Sequence, residues 1–152
     1  MIRDDLKAAL VSAMKSGDKA GVGTMRLISS SIKNRDIELR TASVQPDDDA
    51  LVTDVLQKMI KQRRESVEMY TKGDRAELAA IESAEIAVIE RFLPQQMSED
   101  EAKSAIAAVI AETGASSMKD MGRVMALVKE RHATSIEPAR ASALVKALLS
   151  GG

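Results

Sequence analysis

Apolar residues recur every three or four positions along most of the chain, and no stretch alternates apolar with polar over a strand's length. Ile2, Leu6 and Leu10 step by four, with Ala9, Ala13 and Met14 beside them, so a first helix is expected to end near Gly17. Asp18 suits the cap of a second, carried by Met25, Ile28, Ile32 and Leu39 and running to about Arg40. TASVQPDDD reads as a loop and helix entry. Pro46 fits a first turn, and Asp47, Asp48 and Asp49 complement the positive end of a helix. The third helix should run from about Asp48 to Thr71, with Val52, Leu56, Met59, Arg63, Ser66 and Tyr70 on one stripe. Gly73 stops it. Asp74 and Glu77 have capping-box spacing for a fourth helix, whose stripe is Leu78, Ile81, Glu85, Val88 and Phe92.

The stretch Leu93-Pro94-Gln95-Gln96-Met97 breaks this rhythm, because proline disfavours a helical conformation in the residue before it. A domain boundary is expected here, with residues 1–94 forming a bundle of about four helices and residues 95–152 a small three-helix domain. Ser98 and Glu101 open a fifth helix that Gly114 closes, and Ser117 and Asp120 open a sixth. Pro138 begins a seventh, carrying Ala141, Leu144, Val145 and Leu148. The expected fold class is all-α.

Composition narrows the chemistry. Of 152 residues 45% are apolar, yet Tyr70 and Phe92 are the only aromatics, so the core must be aliphatic. Without cysteine there is no disulfide frame and no thiolate. No apolar run is long enough for a transmembrane helix, and the opening MIRDDLKAAL is too charged for a secretory signal. A cytoplasmic location away from membranes is therefore expected. A net charge of −1 excludes a uniformly basic coat for nucleic acid but leaves room for a local patch. The single histidine, His132, reads as a cation at a helix C-terminus. HExxH, glycine-rich phosphate loops and the GxSxG elbow are all missing, so no metal site, no cofactor and no self-sufficient active site are expected.

Two charged residues interrupt apolar stripes. Arg63 and Glu85 lie on consecutive helices joined by a short turn, at similar distances from it, so antiparallel packing would bring them face to face. Arg64 and Glu82 flank them. A structural ion pair that fixes register is the expected role, with an anion site inside the bundle as the alternative.

The segment Ser117 to Met125, SMKDMGRVM, raises a different question. On a helical wheel Met118, Met121, Val124, Met125 and Val128 share the core face. Gly122 and Ala126 fall beside it, among Lys119, Arg123 and Lys129. A glycine inside a helix costs about 1 kcal/mol relative to alanine. Either a helix or a phosphate backbone approaching closely would explain it. Residues 95–114 carry one base and four acids, a net of −3, whereas residues 115–152 carry six bases and three acids, a net of +3. Few aromatics argue against stacking of single strands, so structured RNA is the more compatible nucleic acid.

Taken together, KQRRESVEMYTKGDRAELAAIESAEIAVIERFLPQQMSEDE (61–101) and SSMKDMGRVM (116–125) resemble the GatB/YqeY family, and the similarity covers essentially the whole chain. The resemblance implies two all-α subdomains. It also implies kinship with the C-terminal part of the B subunit of glutamine-dependent aspartyl/glutamyl-tRNA amidotransferase, where such a tail helps hold tRNA while chemistry happens elsewhere. Lys119, Gly122, Arg123 and Met125 match the family's K-D-M-G-[KR]-V-M core. Arg63, Arg64, Glu82 and Glu85 match its K-Q-R and E-x-x-E positions. One departure is the turn Thr134–Glu137, which lacks the glycine of the family's G-x-x-D.

The function this implies is a non-catalytic tRNA-binding module linked to aminoacyl-tRNA metabolism. Lys119, Gly122, Arg123 and Lys129, helped by Arg140 and Lys146, would touch the RNA. Amidotransferase or aminoacyl-tRNA synthetase components are the implied protein partners. Two alternatives stand beside it: an interaction adaptor that seats a partner helix on Gly122 and Ala126, and an accessory part of a carbon–nitrogen ligase that uses glutamine as nitrogen donor.

Overall fold

A computed structural model describes residues 1–151, and among them helix is the only regular structure. Seven α-helices follow in order: α1 (Ile2–Ser16), α2 (Lys19–Glu38), α3 (Asp48–Lys72), α4 (Ala76–Glu90), α5 (Glu99–Thr113), α6 (Met121–His132) and α7 (Pro138–Leu149). Short 3-10 turns at Leu39–Thr41 and Met118–Asp120 extend α2 and precede α6. The all-α class and the grouping of four helices, then three, agree with the periodicity. Contacts divide the chain between Leu93 and Pro94 into two units.

In the first unit α3 is the central helix. Along its first half Val52, Val55, Leu56, Met59 and Ile60 are buried, and α1, α2 and α4 all pack on it. Ile2 and Leu6 come in from α1, Met25, Ile28 and Ile32 from α2, and Ile89 from α4, with Phe92 just beyond. The second unit has its own core, in which Ala102, Ile106 and Val109 of α5 meet Val124 and Val128 of α6 and Val145 of α7. No aromatic side chain contributes to it.

The three consecutive aspartates do more than complement one helix end. Asp47 caps α3, its carboxylate accepting from the Ala50 N–H at 3.2 Å. Asp49 accepts from the Ile2 N–H at 3.1 Å and so caps α1 from another helix. Asp48 takes the Arg3 Nε–H at 2.8 Å, while the other two nitrogens of that guanidinium reach Asp36 at 2.8 and 2.7 Å. One forked side chain thereby ties α1 to α2 and α3. Hydrogen bonding to Arg3 is the main reason the Asp36 carboxyl is held below its ordinary range.

Several local expectations change. Pro46 precedes the cap of α3 instead of lying in its first turn. Asp74 does not cap α4, which has Arg75 at that position and no side-chain cap. Instead Asp74 adopts the left-handed conformation, φ 58°, and ends α3. The Arg75 N–H returns to the Tyr70 carbonyl and the Asp74 N–H to Thr71. This double bond back into the last turn needs a left-handed residue one place after Gly73. The stripe expected for α4 holds in part: Leu78, Glu85 and Val88 are half-buried and Phe92 is buried just beyond the helix, but Ile81 points to solvent, and the fully buried residues of the helix are Ala79 and Ile89. Alanines and glutamates distributed around α4 give the wheel no sharp maximum to read.

At the other capping sites the pattern was a good guide. Asp18 accepts from the Gly21 N–H, Ser98 and Glu101 form a reciprocal capping box, and Gly17 and Gly114 close α1 and α5 with positive φ.

Because folding depresses the Asp36 pKa, the stability from the Arg3 fork is present above the unfolded carboxylate value of ~4 and is lost as pH falls through the folded one. Asp36→Asn should lower the melting temperature at neutral pH, and its gap to the parent should close on acidification below about pH 4. Circular-dichroism melts across that range provide the check; a pH-independent gap would assign the loss to packing.

Candidate functional site

Arg63 and Glu85 face each other as their spacing predicts. Arg63 Nε–H donates to Glu85 Oε2 at 2.8 Å, and Nη1 also reaches the Met59 carbonyl at 3.3 Å. Their side chains retain only 14% and 26% of full exposure. Water therefore screens this pair less than the surface pairs, and it sits where α3 and α4 share the largest interface in the first unit. Of the flanking residues, Arg64 extends to Glu90 at 3.7 Å, whereas Glu82 is half-buried on α4. The guanidinium of Arg63 is already engaged by a carboxylate and a carbonyl, which suits register-keeping better than capture of a free anion.

In the second unit Ser117 opens a 3-10 turn, its Oγ accepting from the Lys119 N–H at 3.3 Å, and α6 proper begins only at Met121. Asp120 accepts from the Ser116 N–H at 3.0 Å, which closes the turn. That bond is the main reason its carboxyl lies below the ordinary range, with the Ser117 N–H and Arg123 as smaller causes. Met118 is consequently displaced from the core face and exposed, while Met121 and Met125 are half-buried over Val124 and Val128.

Gly122 lies on the solvent side. A Cβ at this position would meet no atom within 4 Å, and Ala126, one turn on, is exposed. Among the described residues of the second unit, no helix closes over this strip. Lys129 lies on nearly the same meridian as Gly122, about 10 Å further along the axis. Lys119 and Lys129 are exposed and have no acidic partner among the described residues. Arg123 shares its charge with Asp120, at 3.2 Å.

The remaining two expected contact residues diverge. Lys146 is exposed in the last turn of α7. Arg140 is half-buried, and its Nη1 donates to the Met97 carbonyl at 3.0 Å. That bond belongs to a clasp the periodicity did not reveal. Gln96 Nε2 donates to the carbonyls of Pro94 and Thr134 at 2.9 and 2.8 Å, and the Met97 N–H donates to Ser135 at 2.9 Å. The segment after Leu93 is thus bound to the turn between α6 and α7. That turn needs no glycine, since Asp74 is the only non-glycine residue with positive φ among those described. Its sharp reversal comes from the Ser135 and Ile136 N–H groups, which both return to the His132 carbonyl. Across α5 and α6, Arg131 grips Glu112 with two parallel hydrogen bonds.

Among the described residues, no group of three or more His, Asp or Glu side chains gathers as a metal would require, and no helix is long and apolar enough to cross a membrane.

A family model described as Yqey-like protein matches residues 3–149. The protein named altered inheritance of mitochondria protein 41, mitochondrial, from Lachancea thermotolerans is 33% identical over 60% of this chain and 47% of its own length. Its Kluyveromyces lactis counterpart is 32% identical over 57% of this chain and 45% of its own length. An uncharacterized protein of Schizosaccharomyces pombe is 32% identical over 61% of this chain and 72% of its own. The first two matches therefore span less than half of those relatives. Their names overturn the cytoplasmic expectation. Lack of cysteine and of a long apolar run, on which it rested, does not distinguish one compartment from another.

Two outcomes follow from the geometry. Arg63→Met and Glu85→Met should each destabilise by about 1–3 kcal/mol, while the double variant loses far less than their sum, because each single change strands a half-buried charge. Additive losses in denaturant titrations would show that the two side chains do not interact. Gly122→Ala should raise unfolding stability by about 0.5–1 kcal/mol, since helix propensity is gained with no steric penalty. A destabilised variant would mean that the fold itself needs the glycine.

Proposed function

The chain belongs to the Yqey-like protein family, and from that premise we propose that it is a non-catalytic helical module that holds tRNA by its phosphate backbone. It acts as an accessory to aminoacyl-tRNA and amidotransferase metabolism, with the amide-transfer chemistry on a partner. The observation that carries this reading is Gly122: a helix-weakening residue, unneeded by its own fold, on an exposed edge between Lys119 and Lys129. Loss of a side chain there admits a bulky, negatively charged polymer to the helix surface, and the flanking ammonium groups neutralise it. Lys119 and Lys129 supply the unshared charge, Arg123 a compensated one, and Lys146 a further cation on α7. Arg140 acts mainly by holding Met97 in place.

Affinity of this kind is modest, sensitive to salt and indifferent to base sequence. It suits recognition of a folded RNA by shape. A partner helix seated on the same strip is the competing occupant, since Ala126 and Met118 are exposed beside Gly122.

A tRNA titration at two salt concentrations separates them. The Lys119→Ala, Lys129→Ala double variant should bind more weakly, with a log–log salt slope shallower by about 2. Gly122→Ala should weaken binding although it stabilises the fold. Absence of binding by the parent at low salt, or unchanged binding by the double variant, would overturn the assignment.

A further inference from the structure

The outer face of α2 carries a second pattern, unrelated to the α6 edge. Ala20, Gly23, Leu27, Ser30, Asn34 and Ile37 are spaced three, four, three, four and three residues apart, and all six are exposed. This is the spacing of a coiled-coil seam, and it spans nearly the whole helix. It lies roughly opposite the core face of Met25, Ile28 and Ile32, so the bundle's own packing leaves it free. Leu27 and Ile37, large apolar residues at the middle and end of the seam, keep 48% and 46% of their full exposure. A Cβ on Gly23 would meet no atom within 4 Å, so a large side chain from outside can rest there.

Lys19, Arg26 and Lys33 run along one flank, each just before a seam residue and seven positions from the next. They form a row of cations about 10 Å apart. None has an acidic partner among the described residues. Both acids of α2 are committed elsewhere, Asp36 to Arg3 and Glu38 to Arg35.

We infer that this face of α2 docks an amphipathic helix of a partner protein that carries acidic residues at seven-residue spacing beside an apolar seam. Heptad-spaced carboxylates would lie opposite Lys19, Arg26 and Lys33 in register, and large apolar side chains would fill the low ground over Ala20, Gly23 and Ser30. Asn34, a polar residue inside the seam, restricts the pairing to one alignment. A second copy of this chain is a poor occupant: antiparallel pairing sets the cation row against itself, and parallel pairing meets Thr24, Ser31 and Glu38, only one of them acidic. A phosphate backbone would leave Leu27 and Ile37 against a polar strand. A lipid surface needs a broader apolar face than two large residues provide.

The probe is a labelled peptide about three heptads long, with Leu at the seam positions except for one Asn to face Asn34, and Glu on both flanks, titrated against the full chain by fluorescence anisotropy. Saturable binding that weakens with salt is expected, with none for the same peptide bearing Lys on its flanks. The Lys19→Glu, Arg26→Glu, Lys33→Glu variant should weaken binding by about tenfold or more, and so should Leu27→Asp. Both variants should keep the parent's helical circular dichroism, because the altered side chains are exposed. Failure of the parent to bind the acidic peptide, or equal binding by the triple variant, overturns the inference. If the triple variant instead loses tRNA binding and keeps the peptide, the face belongs to nucleic acid and the inference is also overturned.

Discussion

Burial of the first half of α3 is the constraint around which the first unit is organised. Val52, Leu56, Met59 and Ile60 leave water together, and α1, α2 and α4 pack on the surface they provide. The same burial carries Thr53 and Gln57 inside, where Thr53 Oγ1 and Gln57 Nε2 find no hydrogen-bond partner among the described residues. Leaving such groups unmet costs about 1–3 kcal/mol each, an outlay that aliphatic burial on all sides of a helix can outweigh. The polar devices of this unit then act on either side of that buried half. Asp47, Asp48 and Asp49 organise its start, and the Arg63–Glu85 pair sets the height at which α4 returns.

The second unit answers the same requirement on a smaller scale. A chain of this length buries a lower fraction of its surface than a larger domain, so small terms weigh more. Its aliphatic core is supplemented by a capping box on α5 and by the clasp that binds Gln96 and Met97 to the α6–α7 turn, while the exposed two-pronged Arg131–Glu112 pair adds little. Against that margin, an open glycine in α6 is a sizeable concession. This is why the proposed RNA contact rests more on Gly122 than on the cations beside it, which are common on helix surfaces.

Helix existence was readable because a 3.6-residue period needs only one-dimensional information, and the caps of α2 and α5 were readable because the capping groups are neighbours in sequence. The ion pair was readable for a related reason: a short turn converts distance along the chain into height, so Arg63 and Glu85 could be matched by counting. What escaped depended on chain segments far apart. Nothing near Arg140 announces that it will hold Met97, and nothing near Asp49 that it will cap α1. Gly73 and Asp74 show a subtler limit. The glycine was expected to stop α3, yet the left-handed residue that ends it is Asp74, one place later, with hydrogen bonds back to Tyr70 and Thr71. At the candidate site, charge type was legible, but whether each cation was free was not, since that depended on Asp120 and on the clasp.

The uneven placement of the two aromatics has an optical consequence. Tyr70 and Phe92 both belong to the first unit, so the second has no intrinsic chromophore in the near ultraviolet. Tyrosine emission therefore follows the first unit, while the peptide bands follow the helices of both units at once. Where the first unit unfolds as one cooperative body, helical signal lost before the tyrosine changes belongs to the unit that carries Gly122, and it can be followed without attaching a dye.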